Sequence, residues 1–309
     1  MILQKMAATT SMADASRELA SAIARHIPHD GERSPFPSVH LSRTSRPTRP
    51  MTVLYEPALV VLAQGKKLVT LGSDELTYDR STYFLSSVAL PITGRVVTAS
   101  AASPYLGVRL ALTPSLVGSV LGNEVLPREE RTKPARGLDV RPLDLNLLDA
   151  VVRLVRLADT PEHAPMLAPL VIQEIVYRLF VGGHAARLQH IATVGGRSHG
   201  VTAAIDWIRA NFDQTMRIET LAKSVGMSPS GLHLHFRAVT GMSPLQYQKT
   251  LRLNEARRLM VSERLDAATA GFRVGYNDPS QFTREYRRMF GAPPARDVRR
   301  NGVGALSRG

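Results

Sequence analysis

No cysteine occurs anywhere in the 309 residues. That excludes disulfides, thiolate-bound zinc, iron–sulfur centres and thiol nucleophiles. Aromatics are sparse, 6% of the chain with a single tryptophan, and acids fall short of bases, 26 against 39. Long hydrophobic runs are also missing. The longest uninterrupted apolar stretch, Ala58–Ala63, is far below the roughly 20 residues needed to span a bilayer, and Met1–Ala22 lacks the apolar centre of a secretory signal. A soluble, cytoplasmic protein without membrane partner, metal or other cofactor is the expectation. What is present, 44% hydrophobic and 21% charged residues, is ordinary for a chain that buries a core. Its length suggests two domains at roughly 150 residues each.

The shortage of acids is uneven. Residues 1–196 carry 21 basic and 17 acidic side chains, whereas 197–309 carry 18 and 9. A polyanion-binding module attached to a near-neutral partner would show this asymmetry, and so would a merely solvated basic face.

A tandem repeat discriminates between the two. Leu221-Ala222 and Val225-Gly226 correspond to Ala270-Gly271 and Val274-Gly275. Ser228-Pro229-Ser230 corresponds to Asp278-Pro279-Ser280, Leu232 to Phe282, Phe236 to Tyr286, and Gly241 to Gly291. Each copy reads as a short helix, a Gly turn, then a second helix opened by a capping Ser or Asp with Pro at its first position. In the first copy Leu232, His235, Phe236 and Val239 form the inward stripe and leave Ser230, His233, Leu234 and Arg237 outward. In the second copy Phe282, Tyr286 and Met289 turn in, and Ser280, Gln281, Thr283, Arg284 and Arg287 turn out. Short helices displaying polar and basic residues suit major-groove reading. Between the copies, Leu245–Met260 has the composition of a stiff connecting helix, with Arg252, Arg257 and Arg258 interleaved. His233 and His235 point about 200° apart on a helix and cannot share a metal ion.

These residues resemble the AraC/XylS transcriptional regulators. The likeness runs from about Val201 to Val298 and is strongest in Met227–Phe236, Gly241–Gln248, Leu251–Arg258 and Val274–Gly291. It implies bacterial transcription regulation through an all-α C-terminal domain of two helix-turn-helix units joined by a linker helix, bound to double-stranded DNA, with RNA polymerase as a further partner. It places base contacts on Ser230, His233 and Leu234 and on Gln281, Thr283 and Arg284. Phosphate contacts would come from Arg237, Arg252, Arg287 and Arg288. Two departures stand out. Leu234 occupies a position usually polar, and Gly271 one usually alanine, at a cost to its helix of up to about 1 kcal/mol.

Toward the N-terminus, residues 12–27 read as an amphipathic helix and Pro28–Pro50 as irregular. Leu59–Ala63, Lys67–Leu71, Glu75–Tyr78, Thr82–Ser86, Arg95–Ser100 and Tyr105–Leu112 read as short antiparallel strands. Helical patterns return over 143–158 and 166–181, and 182–200 reads as a linker to the DNA-binding domain at 201–300. The fold class is therefore α+β. More weakly, 1–181 resembles the cupin-like domain of one AraC-type subgroup, which implies an antiparallel β-barrel sensing an unidentified small-molecule effector, with accessory helices that form a homodimer. Val61, Val69, Phe84 and Val108 are the candidate pocket or plain core, and Lys66, Lys67 and Arg109 read as surface unless Arg109 points inward. No histidine lies between Met51 and Pro114, so an enzymatic cupin with clustered metal ligands is not expected. The rival reading is an architectural DNA-binding protein without an effector.

Overall fold

The computed structural model describes residues 11–72, 74–122, 136–192 and 200–305. The first helix, α1 (Met12–His26), starts where Ser11 and Asp14 cap each other's backbone N–H groups, and it buries Ala15, Leu19, Ala22 and Ile23 along one face. Nine strands follow: β1 (Gly31–Phe36), β2 (Val39–Thr44), β3 (Met51–Tyr55), β4 (Ala58–Gln64), β5 (Lys66–Leu71), β6 (Asp74–Asp79), β7 (Thr82–Ser86), β8 (Leu90–Thr98) and β9 (Tyr105–Ala111). Helix α2 (Pro114–Leu121) and strand β10 (Leu138–Pro142) complete this part. The strands form two antiparallel sheets, ordered β1-β2-β9-β4-β7-β10 and β3-β8-β5-β6.

The region expected to be irregular, Pro28–Pro50, holds β1 and β2. Its alternation is hidden because only Val39 and Leu41 are buried and apolar, yet β2 pairs with β9 along its whole length, from Val39 opposite Leu110 to Thr44 opposite Tyr105. Strand β8 begins at Leu90, ahead of the expected Arg95. Pro91 is tolerated because that end of the strand pairs only with β3, and the ladder to β5 runs from Thr93 onward.

Strand β4 is apolar on both faces because each face meets a different core. Leu59, Val61 and Ala63 face a helical layer built from α1, α3 (Leu145–Arg156), α4 (Ala164–Leu179) and α5 (Ala185–Ala192), whereas Val60 and Leu62 face the second sheet. The stretch expected to be a linker, 182–200, is helical as far as Ala192. A widened turn at Phe180–His184, with Gly183 at φ +87°, joins α4 to α5. That turn is pinned from within by buried His184, whose Nε2 lies 2.7 Å from the Tyr83 hydroxyl. Residues 193–199 lie outside the described residues.

Seven helices make up the C-terminal part: α6 (Val201–Ala210), α7 (Ile218–Ser224), α8 (Pro229–Thr240), α9 (Pro244–Ser262), α10 (Ala267–Arg273), α11 (Pro279–Phe290) and α12 (Pro294–Ala305). Their apolar side chains divide at the middle of α9. Tyr247 and Leu251 join α6, α7 and α8 in one core that is continuous with the inter-sheet core. Leu253, Ala256, Leu259 and Met260 join α10 and α11 in a separate one. Three helices of the C-terminal part, α6, α8 and α9, are further fixed to the β part by polar contacts: Tyr247 donates to the Ala89 carbonyl at 2.8 Å, the Gly137 N–H to the Val239 carbonyl at 3.0 Å, and Arg209 pairs with Glu56 at 2.5 Å.

Candidate nucleic-acid interface

The two repeat copies fold alike. Ser228 accepts from the Gly231 N–H at 3.1 Å and Asp278 from the Ser280 N–H at 2.8 Å. Pro229 and Pro279 take the first helical positions, and Gly241 and Gly291 end the helices in the left-handed conformation. Leu232 and Phe236 anchor α8 inward, Phe282 and Tyr286 anchor α11. That anchoring leaves Ser230, His233, Leu234 and Arg237 exposed on one face of α8, and Ser280, Thr283, Arg284 and Arg287 exposed on the matching face of α11. The spacing i, i+3, i+4, i+7 is the same in both. Along α11 this face lines an open groove of about 740 Å³ with Pro279, Arg288 and Pro293. Leu234 is 69% exposed, so the apolar side chain in the unusual position stands in solvent.

Two expected contacts fall elsewhere. Gln281 is half-buried on the flank of α11, corresponds to Gly231 in the first copy, and holds Glu285 at 3.3 Å. Arg252 is half-buried under the second unit: its Nε donates to the Phe212 carbonyl at 2.5 Å, and its two terminal nitrogens to the Gly275 and Gln214 carbonyls, both at 2.9 Å. Burial lowers its pKa, and its guanidinium stacks over Tyr276 at 5.8 Å. Arg252 is therefore a clamp on the backbone, not a group presented to phosphate. The other connector arginines are engaged too, Arg257 with buried Asp297 at 2.9 Å and Arg258 with Glu255 and Glu263. Arg237, Arg287 and Arg288 are exposed as expected.

Residues 35–187 match the family model of the AraC-type transcriptional regulator N-terminus, and residues 221–300 match a helix-turn-helix domain model. The chain belongs to the AraC/XylS family of transcriptional regulators. Among curated relatives it is similar to the HTH-type transcriptional regulator ArgR of Pseudomonas aeruginosa, 28% identical over 149 residues that cover 48% of this chain and 45% of that regulator. It is also similar to the arabinose operon regulatory protein of Escherichia coli, 35% identical over 86 residues, 28% of each chain. The chain thus matches less than half the length of either relative. Its fold is similar to that of ToxT from Vibrio cholerae with bound unsaturated fatty acid, with a TM-score of 0.54 at 11% identity over 86% of this chain and 96% of that one.

The four candidate pocket residues of this AraC/XylS member do not converge. Val61 and Val108 face the helical layer, while Val69 and Phe84 face the space between the sheets. Strand alternation dictates the split, since a residue's face is set by its register and not by its hydrophobicity. The inter-sheet space is filled by aromatics, Phe84 stacking on Tyr78 at 5.1 Å and meeting Tyr55 edge-on at 5.6 Å. Lys67, expected at the surface, turns in among them with its ammonium 3.5 Å from the Tyr55 hydroxyl. No signal in the sequence marks Lys67, because a lysine beside a Gln-Gly turn usually stays solvated.

Proposed function

We propose that this chain regulates transcription by placing α8 and α11 in successive major grooves of a specific operator. The observation that carries this reading is the pair of equivalent exposed faces at the two ends of α9. At 1.5 Å per residue, its 19 residues form a rod of about 28 Å, the scale of one turn of duplex DNA. Ser230, His233 and Leu234 on one helix, and Ser280, Thr283 and Arg284 on the other, read base edges. Leu234 reads by apolar contact with a thymine methyl. Arg237, Arg287 and Arg288 contact phosphate. The N-terminal part, through Ala192, senses a small-molecule effector and forms a homodimer through α4. The reading is of a cytoplasmic, non-enzymatic bacterial regulator that also engages RNA polymerase. Mapping of bound sites across the host genome, followed by titration of the best site at two salt concentrations, tests it. A recurring motif with two patches about one helical turn apart is the expected result. Diffuse binding, equally salt-sensitive on any DNA, would replace it with an architectural role.

A further inference from the structure

The first helix-turn-helix unit is held against the β part, through Val239, Tyr247 and a common core, whereas the second unit has a core of its own. What aims α11 therefore lies within the helical part. Phe282 and Tyr286 anchor α11 along its inward stripe, and the Tyr286 hydroxyl donates to buried Asp297 of α12 at 2.9 Å. A helix gripped along one line can still roll about that line.

Glu285 supplies a second grip at a different angle. It stands about 100° round the helix from Arg284, on the flank between the anchored stripe and the outward face. Its carboxylate accepts from three places: Lys249 Nζ on α9 at 2.7 Å, the Tyr276 hydroxyl in the turn before α11 at 2.8 Å, and Gln281 Nε2 one turn back on α11 at 3.3 Å. Its side chain is only 19% exposed, so the bond from the Lys249 ammonium is charge-assisted and partly sheltered from water. Tyr276 is itself buried and held, its ring 5.8 Å from the Arg252 guanidinium and edge-on to Phe282 at 5.3 Å. Lys249 and Arg252 are three residues apart on α9 and share a face. The connecting helix thus reaches α11 twice, directly through Lys249 and by way of Tyr276 through Arg252. Nothing comparable can form in the first copy, where Met227, Gly231 and His235 take the places of Tyr276, Gln281 and Glu285.

We propose that Glu285 is the positioning residue of the second recognition helix: by tying α11 to α9 and to Tyr276 it sets the roll at which Ser280, Thr283 and Arg284 meet the second groove. With side-chain tips about 6 Å from the helix axis, a roll of about 15° moves Arg284 by roughly 1.5 Å, enough to break a hydrogen bond to a base edge. Glu285 itself faces α9 and not the groove. The inference rests on the reading of α11 as a groove-binding helix and names how that helix is aimed.

The test uses the full-length protein. Selection from a pool of randomised duplexes gives the preferred site of the natural chain, and Thr283→Ala and Arg284→Ala mark the base pairs that α11 reads. Titration against that site and its single-base variants then measures discrimination at each patch. Glu285→Ala should lower discrimination at the α11 base pairs about tenfold, and Tyr276→Phe, which removes one hydroxyl and keeps the ring, several-fold. Both should leave discrimination at the α8 patch and the slope of log K against log salt unchanged. A merely structural carboxylate would instead lower the Tm and weaken binding to every sequence alike, and that pattern overturns the proposal. If Glu285→Ala does not fold, Tyr276→Phe decides by the same criteria. A natural chain without sequence preference sinks the operator reading and this inference with it. Discrimination at two patches in the natural chain, undiminished in both variants, sinks this inference alone.

Discussion

At the scale of single residues, the arginines of the helical half differ by what already holds them. Arg284 is exposed on the outward face of α11 that we propose reads DNA. Arg284→Ala is expected to cost roughly 1–3 kcal/mol and to relax preference at one base pair. Uniform weakening on all sequences would reassign Arg284 to phosphate. Arg287→Ala should reduce the slope of log K against log salt by about one and leave the Tm unchanged. Arg252→Ala should do the reverse. Removing its guanidinium leaves the Gly275 carbonyl without that donor, while the Phe212 and Gln214 carbonyls keep only Gln248, a loss of about 1.5–3 kcal/mol in urea unfolding. A changed salt slope with intact stability would return Arg252 to the DNA. His184 makes a pH-dependent case. Burial, and then Arg141 and Arg187, depress its imidazole to about 4 from the ordinary 6.5. The unfolded chain binds that proton near pH 6.5 and the folded one only near 4. The stability that neutral His184 supplies is therefore complete above pH 6.5 and lost progressively as pH falls toward 4. Between pH 7 and 5 this amounts to about 2 kcal/mol. Urea unfolding at both pH values should show that loss shrinking in His184→Gln.

At the scale of elements, the helices of the C-terminal part were legible because caps, Pro positions and the 3.6-residue stripe agree with one another, as in Ser228-Pro229 followed by Leu232, Phe236 and Val239. The central strands were legible for the corresponding reason. Strands β1 and β2 were not, since β2 carries its few apolar side chains among Ser, His and Arg and gains its definition from pairing with β9. Likewise the helix beyond residue 182 was masked by Gly182-Gly183 and exists because His184, Leu188 and Ile191 bury themselves against the layer below. On the interface, the outward faces were readable from period alone, but the carbonyls that capture Arg252 come from two separate loops, which no pattern along the connector helix encodes. The repeat also gives an internal control on backbone strain. Gly226 and Gly275 occupy equivalent turns at φ +70° and +89°, yet a Cβ on Gly226 would meet open space, whereas one on Gly275 would lie 2.0 Å from the Asp213 carbonyl oxygen. Both Ala variants pay for the left-handed conformation, about 1 kcal/mol, and only Gly275→Ala must also displace the backbone. Denaturant unfolding should therefore rank Gly275→Ala clearly below Gly226→Ala, and equal losses would show that conformation alone sets the need for glycine.

At the scale of the molecule, a core shared between the β part and the first helix-turn-helix unit, beside a second unit with its own core, means that what happens in the β part reaches α8 before α11. A second copy of the chain extends this argument. Helix α4 buries Ala168, Ile172, Ile175, Val176 and Leu179, while Met166, Leu170 and Tyr177 on its other side, and Val181 in the widened turn beyond it, are 58–74% exposed. By length and composition the helical stretch Ala164–Ala192 could cross a membrane, but here its inner side is packed on the layer below. Exposed apolar faces of this kind are uncommon on monomers and are covered economically by a two-fold copy of themselves, since each residue then serves both sides of the contact. Leu170→Glu places a charge in the middle of that stripe and touches nothing in the core. Sedimentation equilibrium should give a dimer for the natural chain and a monomer for Leu170→Glu with the Tm of the isolated fold retained. Operator affinity should fall with it, because two linked DNA-binding domains bind neighbouring half-sites at a high effective concentration. An unchanged mass would remove α4 from the interface, and loss of affinity without loss of the dimer would mean that this face meets another partner on the promoter.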